Sequence, residues 1–249
     1  MRRLRKIDLL RIVWRSLYIQ GSWNYERMLN LGFAYCILPI LNRLYHDPQK
    51  RRLFLKRHLD YFNAHPYFSS YALGAVARLE EKAAVEKWED FTPIEKFKRR
   101  LSGPLGAIGD RLFWGVFKPL TATLGVLLTL LYGVAGPVVM FVLYNIPHVY
   151  MRYHGVFRGY KMGFDIVREI SVRRYTRYFE WLEKIAVLTL GILAGFILIQ
   201  PGLANWHYSL IFLVAGAGSY LLMRKGFSFF WSLVLVLIVL FLSQLKRGF

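Results

Sequence analysis

A single cysteine, Cys36, among 249 residues rules out an internal disulfide, and no CxxC or Cys/His pair with zinc spacing is present. Cys36 lies in an apolar helical stretch and reads as a small packed hydrophobe. Acidic residues are scarce: 15 Asp and Glu stand against 34 Lys and Arg, a formal net charge of +19. The histidines are His46, His58, His65, His148, His154 and His207, and none sits in HExxH or has an acid five residues on. That leaves a zincin and a membrane acyltransferase without support. GxSxG and GxxxxGK[ST] are absent, and Gly103-x-x-Gly106-x-x-Gly109 is not the dinucleotide fingerprint. No catalytic, metal or cofactor site is therefore expected, and binding or transport fits better than catalysis. A cleavable signal peptide is not evident either, because Asp8, Arg11 and Arg15 interrupt any apolar region after the basic N-terminus.

What the chain does have is apolar length. Leu120–Ile146, Ile185–Met223 and Gly226–Leu245 are long and free of acidic charge, with basic residues around them. About 20 apolar residues cross a bilayer core as a helix. The middle run is long enough for two spans with a turn at Pro201-Gly202. The expectation is an all-α integral membrane protein with amphipathic and re-entrant helices in the N-terminal half and about four transmembrane helices in the C-terminal half. Three parts follow: 1–119, a re-entrant core region; 120–184, a span plus a basic loop; and 185–249, the terminal spans. The basic balance alone would suggest nucleic acid, but Lys and Arg beside spans are what the positive-inside bias and anionic headgroups produce, so no nucleic acid is expected. One conflict remains. If basic 147–184 is cytoplasmic, one crossing at 120–146 puts residue 119 on the side opposite the basic N-terminal region.

Residues 5–19 place Leu9, Leu10, Ile12, Val13, Leu17 and Tyr18 on a broad apolar face, suited to a membrane-interface helix or to packing on a protein core. Gln20–Met28 breaks this helix. Met28–Leu41 is too short for a full span and fits a buried or re-entrant helix. Residues 43–58 are strongly basic and aqueous, Asn63–Pro66 is a breaker, and Tyr67–Ala77 is a close-packing helix. Residues 80–100 read as a solvated helix pair, with a start signal at Thr92-Pro93-Ile94-Glu95. Residues 101–119 hold too many breakers for an uninterrupted helix. Asp110 and Arg111 would be costly against lipid, which makes this segment a candidate substrate-facing element. Gly191 and Gly195 form a GxxxG pair that marks helix packing.

Polar residues beside breakers are the candidates for substrate binding. Gln20, Ser22, Asn24, Glu26 and Arg27 offer donors and acceptors that can replace water around a sugar hydroxyl, and Trp23 offers a stacking face. Glu26 and Arg27 can instead pair with each other. Asn63 and His65 can cap a helix, and Asp110 can accept from sugar hydroxyls or lock its own turn.

At these residues the chain resembles a known family. Gln20-Gly21-Ser22-Trp23-Asn24-Tyr25-Glu26-Arg27-Met28, Asn63-Ala64-His65-Pro66, and Gly103-Pro104-Leu105-Gly106-Ala107-Ile108-Gly109-Asp110 with Phe113-Trp114-Gly115 resemble the IID component of the mannose/fructose/sorbose phosphotransferase system. Tyr153-x-Gly155 to Gly163-x-Asp165-Ile166-Val167 resembles it as well. The resemblance implies a membrane subunit that pairs with a IIC component to translocate a mannose-type hexose. Soluble IIA and IIB components would carry phosphate on their histidines, with no phosphohistidine on this chain. It further implies a higher assembly of IIC–IID pairs in the lipid of a bacterial inner membrane, crossed several times. Gln20, Ser22, Asn24, Glu26, Asn63 and Asp110 are the expected substrate-binding residues, and Pro66, Gly103, Pro104, Gly106 and Gly109 the turn-shaping ones. Arg111 departs from the family, which usually has Pro there. That departure motivates an alternative, a structural or regulatory protein that kept the IID fold without transport. The basic 147–184 segment motivates another, a membrane-tethered binder of anionic lipid or nucleic acid.

Overall fold

The structure, a computed structural model, describes residues 3–170 and 172–199. These are helical with short connections; among them there is no strand, only two isolated bridges at Met28. The chain divides into two compact units, Met1–Thr189 and Leu190–Phe249, and the elements up to Thr189 build the first. The order is α1 (Lys6–Ser16), α2 (Asn30–Leu44), α3 (Pro48–His58), α4 (Ser69–Glu86), α5 (Thr92–Gly109), a π-helical stretch (Asp110–Phe117), α6 (Lys118–Tyr132), α7 (Ala135–Met162), a 3-10 turn (Gly163–Asp165), α8 (Ile166–Glu169) and α9 (Val172–Ile199). The expected Pro201-Gly202 turn and the last span lie outside the described residues.

The core forms where α2 and α4 bury nearly all their apolar side chains, among them Phe33, Ile37, Ile40, Leu73 and Val76. Cys36 is fully buried in α2. Helix α4 meets α7 through small residues. A Cβ at Gly74 would run into the backbone of Val156, and one at Gly159 into the backbone of Tyr71 and Ala75. This is the close backbone approach that small-xxx-small spacing permits; here the pair is Gly155 and Gly159. Gly191 and Gly195 meet nothing within 4 Å of a built Cβ.

Three expectations about the middle of the chain need correction. Residues 80–100 are not a solvated pair, because α4 runs on to Glu86 and carries Glu80 and Glu81 into the interior. Glu80 accepts from Arg57 Nε (2.6 Å) and Nη2 (2.7 Å), from Tyr45 OH (2.8 Å) and from His58 Nε2 (3.0 Å). An acid with four such donors is compensated, as a buried charge must be. Lys98 is buried too, donating to the carbonyls of His58 (3.1 Å) and Asp60 (3.2 Å).

Second, residues 101–119 remain helical through every predicted breaker. Pro104 lies inside α5, and the helix continues from Gly109 into a π-helical stretch at Asp110–Phe117. Among the described residues this 41-residue run, Thr92–Tyr132, is the one helix long and apolar enough to cross a membrane.

Third, Leu120–Ile146 is not one span but two arms of a hairpin. Gly133 takes φ 61° and ψ −127°, a conformation that favours glycine. The arms run antiparallel: Phe117 stacks on Tyr144, a Cβ on Gly125 would press on Met140, and one on Gly136 would strike Thr129. The arms turn Val126, Leu130, Val138, Phe141 and Ile146 outward, an apolar surface of the kind bilayers or partner helices cover.

A candidate substrate-facing ledge

The loop after α1 is a closed knot. Asn24 N–H donates to Met28 O (3.2 Å) and Met28 N–H to Asn24 O (2.9 Å), with Met28 at φ 58°. The Asn24 side chain locks it: Oδ1 accepts from Arg27 N–H (2.8 Å), and Nδ2 donates to Asn30 Oδ1 (3.2 Å). Asn30 in turn donates to Leu59 O (2.9 Å). Asn24 is thus committed to the loop, while Gln20, Ser22 and Glu26 stand exposed on its rim. Glu26 pairs with Arg27 at 3.1 Å, and Trp23 meets Tyr25 edge-on at 4.6 Å.

The loop is stitched to the second motif. Leu29 N–H donates to Phe62 O (2.9 Å), and Met28 forms a bridge with Phe62. From there Asn63–Pro66 lies across the small face of α5. The Ser102 hydroxyl donates to Asn63 O and accepts from Asn63 N–H (3.1 Å). A Cβ on Gly106 would rest 3.8 Å from Ala64 Cα, and one on Gly109 would overlap the root of the His65 side chain. Nothing lies within 4 Å of a Cβ on Gly103. The expected turn-shaping role of Gly103, Pro104, Gly106 and Gly109 is corrected by this geometry. All four are inside a helix, and Gly109 leaves room for a crossing segment. Pro66 is buried at the turn into α4.

His65 joins this ledge to the π stretch. It is 1% exposed, stacks on Phe113 (5.3 Å, 15°) and faces Trp114 edge-on at 5.0 Å. Burial pushes it down to about 3, so the ring is neutral at ordinary pH. Its Nδ1 accepts from Tyr67 N–H (3.3 Å), which places the proton on Nε2, an atom without a protein partner among the described residues. Asp110, exposed, opens the π stretch. Arg111 reaches across to Glu183 of α9 (2.9 Å) with its guanidinium 4.8 Å from the Phe179 ring centre. The charge of Arg111 is therefore paired.

Behind the ledge, Tyr67 stacks on His148 (4.1 Å) and shares a hydroxyl contact with Tyr144 (3.1 Å). Arg152 donates from Nε to His148 (2.9 Å) and from Nη1 to Ser16 O, tying α7 to the C-terminal end of α1 just before the loop. Such a cation also suits the negative end of a helix. Phe113 further lines a cavity of about 780 Å³ with Tyr71, Phe117, Tyr150, His154 and Arg158. Tyr71 OH contacts His154 Nδ1 (3.0 Å), and Arg158 Nε donates to Glu169 (2.9 Å). Aromatic walls with a few polar groups are typical of a ligand site. Sequence reading missed Tyr71, His154, Arg158 and Glu169; the readable signal was the Gly155/Gly159 spacing that seats α7 on α4.

Three segments far apart in sequence are thus joined, the loop to Phe62 and Asn63 to Ser102, and the whole chain is similar to known proteins. Residues 3–247 match the family described as the PTS system mannose/fructose/sorbose family IID component. The chain belongs to this IID family. It is 33% identical over 194 residues to the fructose permease IID component of Bacillus subtilis, covering 78% of this chain and 70% of that one. It is 34% identical over 195 residues to the mannose-specific EIID component of Escherichia coli K12, covering 78% and 69%. A solved chain titled only as a membrane protein superposes with TM-score 0.81 at 27% identity, over 99% of this chain and 98% of that one. A chain in the structure of the mannose transporter ManYZ with microcin E492 superposes with TM-score 0.64 at 28% identity, over 100% and 98%. This IID chain is accordingly a component of a sugar-transporting phosphotransferase system and has the helical fold of membrane proteins.

Proposed function

We propose that this IID chain pairs with a IIC membrane subunit to form the translocating unit for a mannose-type hexose. Soluble IIA and IIB components phosphorylate the arriving sugar, and IIC–IID pairs assemble further in the bacterial inner membrane. The observation that carries this reading is the meeting of the Gln20–Met28 loop, Asn63–Pro66 and Ser102–Asp110 on one ledge. Gln20, Ser22, Glu26, Asn63 and Asp110 face outward from it and offer the mixed donors and acceptors that sugar hydroxyls need. Asn24 serves by holding the loop, and His65 Nε2–H supplies one more donor should the ledge rearrange around substrate. The α6–α7 hairpin enters the bilayer and returns, leaving both flanking basic segments on the cytoplasmic side.

The test is uptake of labelled hexoses into vesicles that hold this chain with its IIC partner, with and without phosphorylated IIA and IIB. Accumulation should require both membrane chains and phosphate, and Ser22→Ala and Asp110→Asn should each reduce it. A folded complex that accumulates no common hexose would overturn the reading in favour of a structural or regulatory role. Unchanged uptake by Asp110→Asn would remove Asp110 from the site.

A further inference from the structure

Helix α1 is apolar on both sides. Its inward side buries Leu9 and Ile12 in the core together with an acid: Asp8 pairs with Arg43 of α2 (2.6 Å) and accepts from Arg5 N–H (2.9 Å). Its outward side is apolar. Ile7, Leu10, Trp14, Leu17 and Tyr18 form one stripe, 40% to 64% exposed, with Trp14 and Tyr18 edge to face at 6.5 Å. On a helix of 3.6 residues per turn Ile7, Leu10 and Trp14 share one face, and Leu17 and Tyr18 follow in the turn after α1, with Tyr18 against Trp14. Lys6 flanks that face on one side and Arg11 on the other, with Arg3 and Arg5 at its head, all exposed. None of these four cations pairs with an acid among the described residues.

An apolar stripe with indole and phenol at its lower end and unpaired cations along both edges is complementary to one surface in particular. Apolar side chains enter the acyl boundary, Trp and Tyr sit at headgroup level, and Lys and Arg meet anionic headgroups. A protein partner would need its own acids around an apolar groove to match it. We propose that the outer face of α1 docks on the bilayer surface and selects anionic phospholipid there. The helix is rigidly held while it does so. Arg15 donates to Tyr35 O (3.0 Å) and Arg152 grips Ser16 O, so lipid contact at α1 bears directly on where the Gln20–Met28 loop stands.

The experiment uses the IIC–IID complex in vesicles of phosphatidylcholine with a minor fraction of phosphatidylglycerol. Brominated acyl chains are placed on one lipid or the other at equal bromine content. The signal is the Trp14 share of fluorescence, taken as wild type minus Trp14→Phe. At roughly fivefold enrichment of anionic lipid per basic side chain before saturation, quenching should be at least about threefold stronger with bromine on phosphatidylglycerol. Replacing Arg3, Arg5, Lys6 and Arg11 together by Gln should abolish that difference while quenching by brominated phosphatidylcholine persists; the persistence shows that α1 still lies on lipid. Equal quenching by both lipids in wild type would overturn the headgroup selection. No quenching by either would overturn the docking itself and assign the face to a protein neighbour.

Discussion

The three glycines of α5 offer a graded experiment, because alanine at each meets a different surrounding. Glycine inside a helix costs about 0.5–1 kcal/mol relative to alanine. At Gly103 a Cβ meets nothing within 4 Å, so Gly103→Ala should stabilise by up to that amount. At Gly106 the new methyl would touch Ala64 Cα at 3.8 Å, an ordinary contact, and the change should be neutral or slightly stabilising. At Gly109 it would overlap His65 Cβ and Cγ and lie 2.8 Å from Nδ1. These atoms are the root of a buried side chain clamped by Phe113, and they cannot swing aside. Overpacking of this kind costs about 1–3 kcal/mol. For a chain of this size about 1 kcal/mol moves the melting temperature by roughly 2–4 °C. Thermal unfolding of the detergent-solubilised IIC–IID complex should therefore rank Gly103→Ala and Gly106→Ala at or above wild type and Gly109→Ala several degrees below it. The cost at Gly109 should shrink by about 1–2 kcal/mol in a His65→Gly background, since the clashing atoms are gone. If Gly103→Ala proved as damaging as Gly109→Ala, or the two backgrounds gave equal costs, the close-approach argument would fail and a turn-forming role would return.

Glu80→Gln leaves Arg57 buried beside a neutral amide and should destabilise by about 3–5 kcal/mol, whereas replacing Arg57 and Glu80 together by apolar residues of similar volume should recover much of it; a single-variant loss below about 1 kcal/mol would contradict the network. Burial holds His58 at about 4 against its ordinary 6.5, so the unfolded chain takes up this proton below about pH 6.5 while the folded chain stays unprotonated until about pH 4. Stability fully present above that window should fall through it by about 3 kcal/mol. Burial alone would raise Glu80, but hydrogen bonds from Arg57 and His58 hold it at about 2 against 4.5, which adds a loss of the same sign at lower pH. Melting curves from pH 7 to pH 4 check this, and His58→Gln should flatten the upper part of the decline.

Local signals were legible where one residue type does one thing. Helix α5 starts at the expected Thr92-Pro93, though Phe91 rather than Thr92 takes the cap position, no side chain caps it, and Thr92 N–H is held by Asp90 (2.8 Å); the period of residues 5–19 appears as α1 over Lys6–Ser16. The order of the three motif segments pointed to the IID family. What misled was composition read without partners. Charge density at 80–100 suggested solvent, but Glu80, Glu81 and Lys98 each face groups brought from elsewhere, which no local pattern records. Glycine and proline at 101–119 suggested irregular backbone, yet the stretch stays helical, and at Gly109 the missing side chain gives His65 room to cross. The commitment of Asn24 to its own loop was likewise invisible until Asn30 and Arg27 were placed beside it.

Under the proposed topology, the hairpin at Gly133 would remove the conflict in the charge pattern. With 120–146 as one crossing, residues 119 and 147 would stand on opposite sides, and the basic segments before and after it could not both lie on the cytoplasmic side. The structure places Phe117 against Tyr144, so Lys118 and Pro147 emerge at the same end of the hairpin. No extra crossing before residue 119 is then needed to satisfy the positive-inside bias. The apolar run is long because it supplies two packed helical arms rather than one continuous helix. The residue that decides between those readings is a single glycine with positive φ, a property of backbone geometry to which hydropathy is blind.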